Sequence, residues 1–193
     1  MDITFDRETH VYRVDSRKVD SVTQILEILA PYAGVHPDIL EAARQLGTNV
    51  HLTTELHDRG DLDEERLDPL LLFYLDGWKN FLSDTGFTIT HIEEIVYSKT
   101  YNYIGTFDRA GILNGKECVL DIKTTAFQSK THPLQLAAYG QAFKESGGFK
   151  SPNRYTLRLT PAYPRGYRLE QHEGKLDLSN FLACLTVHNL KKR

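Results

Sequence analysis

Apolar and polar positions alternate along several short segments of the chain and recur at helical spacing along others. Alternation with a period of two is typical of half-buried strands, and recurrence every three to four residues is typical of helices. A capping box of Ser21 and Gln24 marks the start of one helix. The pattern predicts a β-hairpin at residues 3–19, strands at 87–97, 104–113, 117–123, 154–160 and 166–170, and further helices at 38–56, 69–86, 133–145 and 178–190.

The order of these elements favours an α/β protein with a mixed sheet flanked by helices. A chain of 193 residues with 40% hydrophobic content can bury one sizeable core, which predicts a single domain over residues 1–193. An N-terminal hairpin and helices would occupy residues 1–86, a central core residues 87–170, and a C-terminal helix residues 176–193. The strongly acidic segment 58–68 is predicted to be an exposed loop.

Charge and cysteine content exclude some classes of protein. With 23 basic and 26 acidic residues the net charge is −3, so a nucleic-acid partner would need a local basic surface. Two cysteines, Cys118 and Cys184, are too few for a disulfide scaffold or a four-thiolate cluster, and both are predicted to be buried thiols. No apolar run approaches the roughly 18 residues of a membrane span, which predicts a soluble intracellular protein.

Candidate chemistry is concentrated between Gly105 and Lys123. Asp121 and Lys123 are two residues apart on a predicted strand and share one face, and the short connection through Asn114 and Gly115 folds Asp108 back toward them. A lone aspartate at a strand end is usually solvated. Two carboxylates beside an ammonium group instead suit a divalent metal site at which water attacks a phosphodiester.

Five elements in order resemble the RecB-like branch of the PD-(D/E)xK nucleases. They are His51 within the segment 47–51, Glu93, Gly105-x-x-Asp108, Asp121-Ile122-Lys123-Thr124, and Gln135-Leu136-Ala137-Ala138-Tyr139. The segment from Phe5 to Thr23 is similar to the opening of small phage or prophage members of that branch, so the resemblance covers about residues 3–143. It implies a restriction-endonuclease-like αβββαβ core.

The resemblance also implies roles for the individual residues. His51, Asp108, Asp121 and the carbonyl of Ile122 would bind one or two Mg²⁺ or Mn²⁺ ions. Glu93 would assist through water or metal, and Lys123 would position the attacking water. The family pattern fits Glu93 better than Glu94, and strand alternation points the two glutamates to opposite faces.

Other residues have a supporting role or a purely structural alternative. The resemblance places Gln135 and Tyr139 in the cleft, and the hydroxyl of Thr124 could meet a phosphate; a buried tyrosine beside a satisfied amide is the alternative. His51 taken alone would more often be a half-buried, hydrogen-bonding histidine. Arg154 and Arg158 lie in the basic part of the chain, with Arg165 and Arg168, and are predicted to follow a phosphate backbone. The alternative for these arginines is a solvated sheet edge.

These implications together predict a DNA exonuclease for end processing in recombination or repair. It would lie in the cytoplasm of a bacterial host, be encoded by a phage or prophage, and contain no iron–sulfur cluster. Nothing in the chain resembles an ATPase, so processivity would require a homo-oligomer or a partner such as a single-strand annealing or recombination protein. One alternative is a structure-specific or restriction-type endonuclease on the same fold. Another is a catalytically silent nucleic-acid-binding or regulatory protein.

Overall fold

The computed structural model describes residues 1–6, 9–30, 32–125 and 127–192. Eight strands and five α-helices are formed in this part of the chain, with two short 3-10 turns at Glu27–Leu29 and Glu64–Arg66. The strands are β1 (Ile3–Asp6), β2 (Val11–Val14), β3 (Arg17–Val19), β4 (Thr88–Ser98), β5 (Tyr103–Leu113), β6 (Lys116–Lys123), β7 (Asn153–Leu159) and β8 (Tyr167–Gln171). The helices are α1 (Val22–Leu26), α2 (Pro37–Arg59), α3 (Pro69–Thr85), α4 (Thr131–Glu145) and α5 (Asp177–Lys191).

The central sheet has five strands in the order β4-β5-β6-β7-β8. Strands β6 and β7 are parallel and joined through α4, whereas the other neighbouring pairs are antiparallel. The sequence α3-β4-β5-β6-α4-β7 reproduces the predicted αβββαβ order, which confirms the mixed α/β fold. The boundaries predicted for a single domain stay a prediction.

Helices cover both faces of the central sheet. Val119 of β6 belongs to one buried cluster together with residues of α1, α4 and α5. Leu120 and Ile122, which alternate with Val119, belong to a second cluster with residues of α2 and α3. This division between two faces is what a period of two requires of a central strand. Cys118 and Cys184 are buried, as predicted. No helix in the described ranges is both long and apolar enough to cross a lipid bilayer.

The N-terminal segment forms one strand more than predicted. Its sheet has the order β1-β2-β3, and β2 and β3 are joined by a turn in which Asp15 and Ser16 both have positive φ. Turns of this kind usually contain asparagine or glycine, so this one had no clear signal in the sequence. Ser21 caps α1 in the predicted capping box with Gln24. The sheet packs on Ile104 of β5, and Tyr12 Oη lies 2.9 Å from Thr106 Oγ1.

The prediction that residues 58–68 form an exposed loop is wrong at its start. Helix α2 continues to Arg59, and the Asp58 side chain is only 1% exposed. Asp58 accepts hydrogen bonds from Arg109 of β5 and from Trp78 of α3. These partners are distant in the sequence, so the acidic run gave no sign that its first member is buried.

Gly105 lets the α4 helix approach the sheet closely. A Cβ atom added there would lie 2.5 Å from the ring of Tyr139 and 3.3 Å from Val22. We expect Gly105→Ala to lower the free energy of unfolding by about 1–3 kcal/mol, because the extra methyl group overpacks a buried contact. Urea denaturation measures this change. Gly140→Ala is the matched control, since its Cβ would meet only Pro152 at an ordinary 3.6 Å. An equal stability for the two variants would contradict the close packing.

Candidate functional site

A cluster of one histidine and two carboxylates lies where α2 meets β4 and β5. His51 is on α2, and its Nδ1 lies 3.2 Å from Asp108 Oδ1 and 4.0 Å from Glu93 Oε1. One ligand atom from each of the three residues lies within 4.8 Å of the others. Imidazole nitrogen and carboxylate oxygen are donors that Mn²⁺ accepts, and Mg²⁺ prefers the oxygens. The three residues therefore fit a divalent cation.

Glu93 reaches this cluster from an unusual backbone conformation. Its φ is 50° within the otherwise extended strand β4. The region of positive φ favours glycine, and a non-glycine residue there costs on the order of 1–3 kcal/mol. Glu93 faces the cluster with a side chain that is 20% exposed, whereas Glu94 is exposed to solvent. The catalytic role of Glu93 stays a prediction.

The strand pair β5–β6 brings Asp108 beside the end of β6. Asn114 and Gly115 form the predicted tight turn, both with positive φ. The backbone N–H of Ile122 donates a short hydrogen bond to Asp108 Oδ2. The carbonyl of Ile122 lies 3.1 Å from His51 Nε2. Ile122 thus holds both Asp108 and His51 through its backbone, and its predicted role as a metal ligand is not tested by these contacts.

Asp121 and Lys123 form an ion pair next to the cluster. Lys123 Nζ lies 2.6 Å from Asp121 Oδ2, and the Asp121 side chain is 2% exposed. The two side chains share one face of β6, as the period of two predicts. Asp121 lies outside the cluster of His51, Glu93 and Asp108, and its role as a metal ligand stays a prediction.

Burial and mutual repulsion shift the pKa values of the carboxyl groups. Burial, with the nearby charge of Asp108, raises the pKa of Glu93 to about 7. Burial raises the pKa of Asp121 to about 6, against the attraction of Lys123. Burial also opposes the charge on Asp108, but the charge of His51 outweighs it and the pKa of Asp108 is lowered. Such perturbed carboxyl groups close together are typical of functional sites.

The two basic groups remain protonated more strongly than usual. Burial disfavours the charge on Lys123, but the carboxylates of Asp121 and Asp108 outweigh burial and raise the pKa of Lys123. Burial likewise disfavours a charged His51, but Asp108 outweighs it and the pKa of His51 is raised. The positive charges of Lys123 and His51 therefore compensate part of the negative charge of the carboxylates.

Divalent metal should stabilise the fold more at high pH than at low pH. A folded-state pKa of about 7 for Glu93, against an ordinary value of 4.5, means that the free energy of unfolding falls as the pH rises between these values. A cation bound to the ionised carboxylates removes this loss. At 100 times its dissociation constant, Mn²⁺ should raise Tm by about 5–10 °C at pH 8 and by much less at pH 5. Differential scanning fluorimetry measures both shifts.

The Asp108→Asn variant is the control for this experiment. It retains the size of the side chain but removes one anionic donor, so the gain in Tm at pH 8 should shrink markedly. Equal gains in Tm at pH 5 and pH 8 for the parent protein would contradict metal binding by the cluster.

Arg109 is the main residue that the sequence analysis missed. It is fully buried, and its guanidinium group donates hydrogen bonds to Asp58 Oδ2 at 2.7 Å, Glu93 Oε1 at 3.1 Å and Thr54 Oγ1 at 3.2 Å. The guanidinium carbon also lies 5.5 Å from the ring centre of Trp78. A charged residue between Asp108 and the buried Ala110 was an available signal, because strand interiors rarely accept an unpaired arginine.

The predicted supporting residues of α4 are buried and hydrogen-bonded to each other. Gln135 Nε2 donates to Tyr139 Oη at 2.9 Å, and both side chains are buried. Burial, with the negative charge of Asp121, raises the pKa of Tyr139 well above its ordinary value. Thr124 lies against α2, since its Oγ1 would be 3.9 Å from a Cβ on Gly47. Gly47 is one helical turn before His51 on that helix. A role of these residues in substrate binding stays a prediction.

Arg154 and Arg158 lie on β7 and are engaged within the protein. Arg158 is 4% exposed and pairs with Glu170 of β8. Arg154 pairs with Asp177 at 2.8 Å and donates to the carbonyl of Gly174. Arg165 pairs with Asp84 of α3, which is 81 positions away in the sequence. Nothing in the sequence indicated these ion pairs. Phosphate binding by the arginines stays a prediction.

The chain has weak structural similarity to several solved proteins. An alkaline exonuclease from Laribacter hongkongensis, LHK-Exo, is 12% identical, with a TM-score of 0.43 over 89% of this chain and 91% of that one. LHK-Exo in complex with dAMP is 9% identical, with a TM-score of 0.48 over 90% and 87% of the two chains. The structure of SSO0001 is 18% identical, with a TM-score of 0.42 over 63% of this chain and 59% of that one.

Sequence comparison adds no relative to these. No protein-family model matches the chain, and no curated protein matches its sequence. Function therefore has to be inferred from the side chains of the site itself.

Proposed function

We propose that the protein is a divalent-metal-dependent nuclease that hydrolyses phosphodiester bonds in DNA. The observation that carries this proposal is the cluster of His51, Glu93 and Asp108 with the Asp121–Lys123 ion pair beside it. Acidic and imidazole donors next to a half-buried ammonium group suit hydrolysis of a phosphodiester, in which negative charge develops on phosphate oxygens.

Different residues of the chain would have different roles in the reaction. His51, Glu93 and Asp108 would hold Mg²⁺ or Mn²⁺, with Asp121 and the Ile122 carbonyl as further proposed donors. The ion would supply Lewis acidity and a water of lowered pKa. Lys123 would orient that water and offset the developing charge. Addition of water across the P–O bond would leave a 5′-phosphate on one product and a hydroxyl on the other.

Arg109 would keep Glu93 in position. Its fully buried guanidinium group is held by Asp58 and Thr54 and also donates to Glu93. Because metal geometry tolerates little displacement of a ligand, a fixed partner behind Glu93 would preserve the coordination distance. Arg109 is therefore proposed as a positioning residue.

The finer assignment is an exonuclease of the RecB-like branch, of phage or prophage type, acting in DNA recombination or repair. This assignment is supported by the five sequence elements that contain the site residues, which occur along the chain in the order found in that branch. Action from an end would be aided by a homo-oligomer or by a recombination partner protein.

An assay on two forms of DNA tests the proposal. The protein is incubated with end-labelled linear DNA and with covalently closed circular DNA, in Mg²⁺, in Mn²⁺ and in EDTA. We expect metal-dependent loss of the linear substrate, no cleavage of the circle, and no activity in the Asp108→Asn variant. Cleavage of the circle would identify an endonuclease instead. A parent protein that binds DNA and cleaves neither form would be a binding protein.

A further inference from the structure

A basic pocket separate from the metal cluster lies between the second half of α4, the start of β7 and the segment before α5. Its volume is about 220 Å³, which holds a phosphate group and several waters. Four cations line it: Lys144, Lys150, Arg154 and Lys175. No carboxylate belongs to the lining formed by the described residues.

The three lysines of this pocket are available to a ligand. Lys144, Lys150 and Lys175 are exposed, and none takes part in an ion pair within the described part of the chain. Arg154 differs, because Asp177 and the Gly174 carbonyl engage its guanidinium group. Three uncompensated charges around one concavity attract anions more strongly than three scattered lysines do.

The composition of the wall indicates which anion fits. The remaining lining residues are small, polar or aliphatic, and no aromatic side chain belongs to the lining in the described ranges. A nucleotide base would find no ring to stack on, and stacking is the usual source of base affinity. Lysine recognises phosphate as a point charge without reading a base. The pocket therefore suits a sugar–phosphate backbone better than a free nucleotide.

The pocket also has a fixed position relative to the candidate active site. In the parallel pair of β6 and β7, Arg154 is opposite Val119 and Arg158 is opposite Lys123. Arg154 of the pocket and Lys123 of the site thus lie on the same face of the sheet, four residues apart along the strands. This separation is about 13 Å at roughly 3.3 Å per residue, or about four nucleotides of a duplex strand.

We propose that Lys144, Lys150 and Lys175 form a second contact for the phosphate backbone of the nucleic-acid substrate, beyond the nucleotides that lie at the metal cluster. The proposal rests on the proposed nuclease function. It adds a path for the substrate strand beyond the metal cluster. It accounts for how a chain of net charge −3 holds a polyanion on one face.

The salt dependence of DNA binding tests the second contact. Affinity for a 20-base-pair duplex is measured by fluorescence anisotropy between 50 and 200 mM salt, in EDTA so that no cleavage occurs. The triple variant Lys144→Gln, Lys150→Gln, Lys175→Gln should lower the slope of log K against log salt by about 2–3, because each lost phosphate contact removes about 0.9. Arg13→Gln, Arg17→Gln, Lys18→Gln is the matched control, since it removes the same charge at exposed positions of the N-terminal sheet, none of which lines the pocket.

The outcomes separate the second contact from the nuclease function. A slope unchanged in the pocket variant, or lowered equally in the control, overturns the proposed contact even if the parent cleaves DNA. A lowered slope with a parent that shows no cleavage supports the contact and rejects the nuclease.

Two further measurements complete the test. Calorimetric titration with pyrophosphate tests whether the pocket is instead a site for a small phosphate compound. The strand contact would be overturned if the parent bound pyrophosphate, the triple variant did not, and both had the same salt slope for DNA binding. If the triple variant does not fold, Lys175→Gln alone should lower the slope by about 0.9, and no change would overturn the proposal.

Discussion

Lys123→Ala should lower the rate of DNA cleavage by about 10²–10³-fold, the usual loss when one electrostatic group at a reacting centre is removed. Lys123 is the cation nearest the Asp121 carboxylate, with Nζ 2.6 Å from Oδ2. The carboxylates of Asp121 and Asp108 keep its pKa raised despite burial, so the group acts as an ammonium ion throughout the neutral range. Single-turnover kinetics with excess protein measure the rate of the chemical step.

Metal binding provides the readout that separates this loss from a damaged site. Lys123 donates no electron pair to a cation, so Lys123→Ala should retain the gain in Tm that Mn²⁺ gives the parent. Lys116→Ala is the matched control, because Lys116 is an exposed lysine at the other end of the same strand. Activity near that of the parent in Lys123→Ala would remove Lys123 from the mechanism.

Arg109→Leu should lower the free energy of unfolding by about 3–5 kcal/mol, because it leaves a buried charge without its partner. The carboxylate that loses its arginine is Asp58, whose side chain is 1% exposed and lies 2.7 Å from Arg109 Nε. Urea denaturation measures the loss. Arg59→Leu is the control, since Arg59 is 45% exposed in its pair with Glu55 and such pairs contribute about 0–1 kcal/mol.

A second substitution identifies the cause of this instability. Asp58→Asn removes the buried charge and keeps an oxygen for the Trp78 indole N–H, which donates to Asp58 Oδ1 at 2.8 Å. The double variant Arg109→Leu, Asp58→Asn should therefore recover about 1–2 kcal/mol of the loss, within the usual range of coupling between contacting residues. No recovery would show that lost packing, and not the stranded carboxylate, destabilises Arg109→Leu.

Local features of the fold could be predicted because their causes are local. The alternation along β6 placed Asp121 and Lys123 on one face, and Asn114-Gly115 supplied a tight turn with positive φ. The capping box of Ser21 and Gln24 marked the start of α1. Each of these depends on residues fewer than five positions apart, for which chain geometry alone decides the outcome.

Contacts across the fold could not be predicted in the same way. Asp58 pairs with Arg109, 51 positions away, and Arg154 pairs with Asp177, 23 positions away. An acidic run and a basic stretch look solvated until the partner of each charge is known. The pocket lined by Lys144, Lys150 and Lys175 depends likewise on how α4 packs against β7 and the segment before α5.

The backbone conformation at Glu93 lowers the stability of the folded chain relative to a glycine at the same position. Glycine would adopt a φ of 50° without the cost of roughly 1–3 kcal/mol borne by other residues. Glycine would also remove the carboxylate. Selection for the stability of the folded chain alone would therefore be expected to replace Glu93 by glycine. A glutamate at this position in homologues would then indicate selection for the function of its carboxylate.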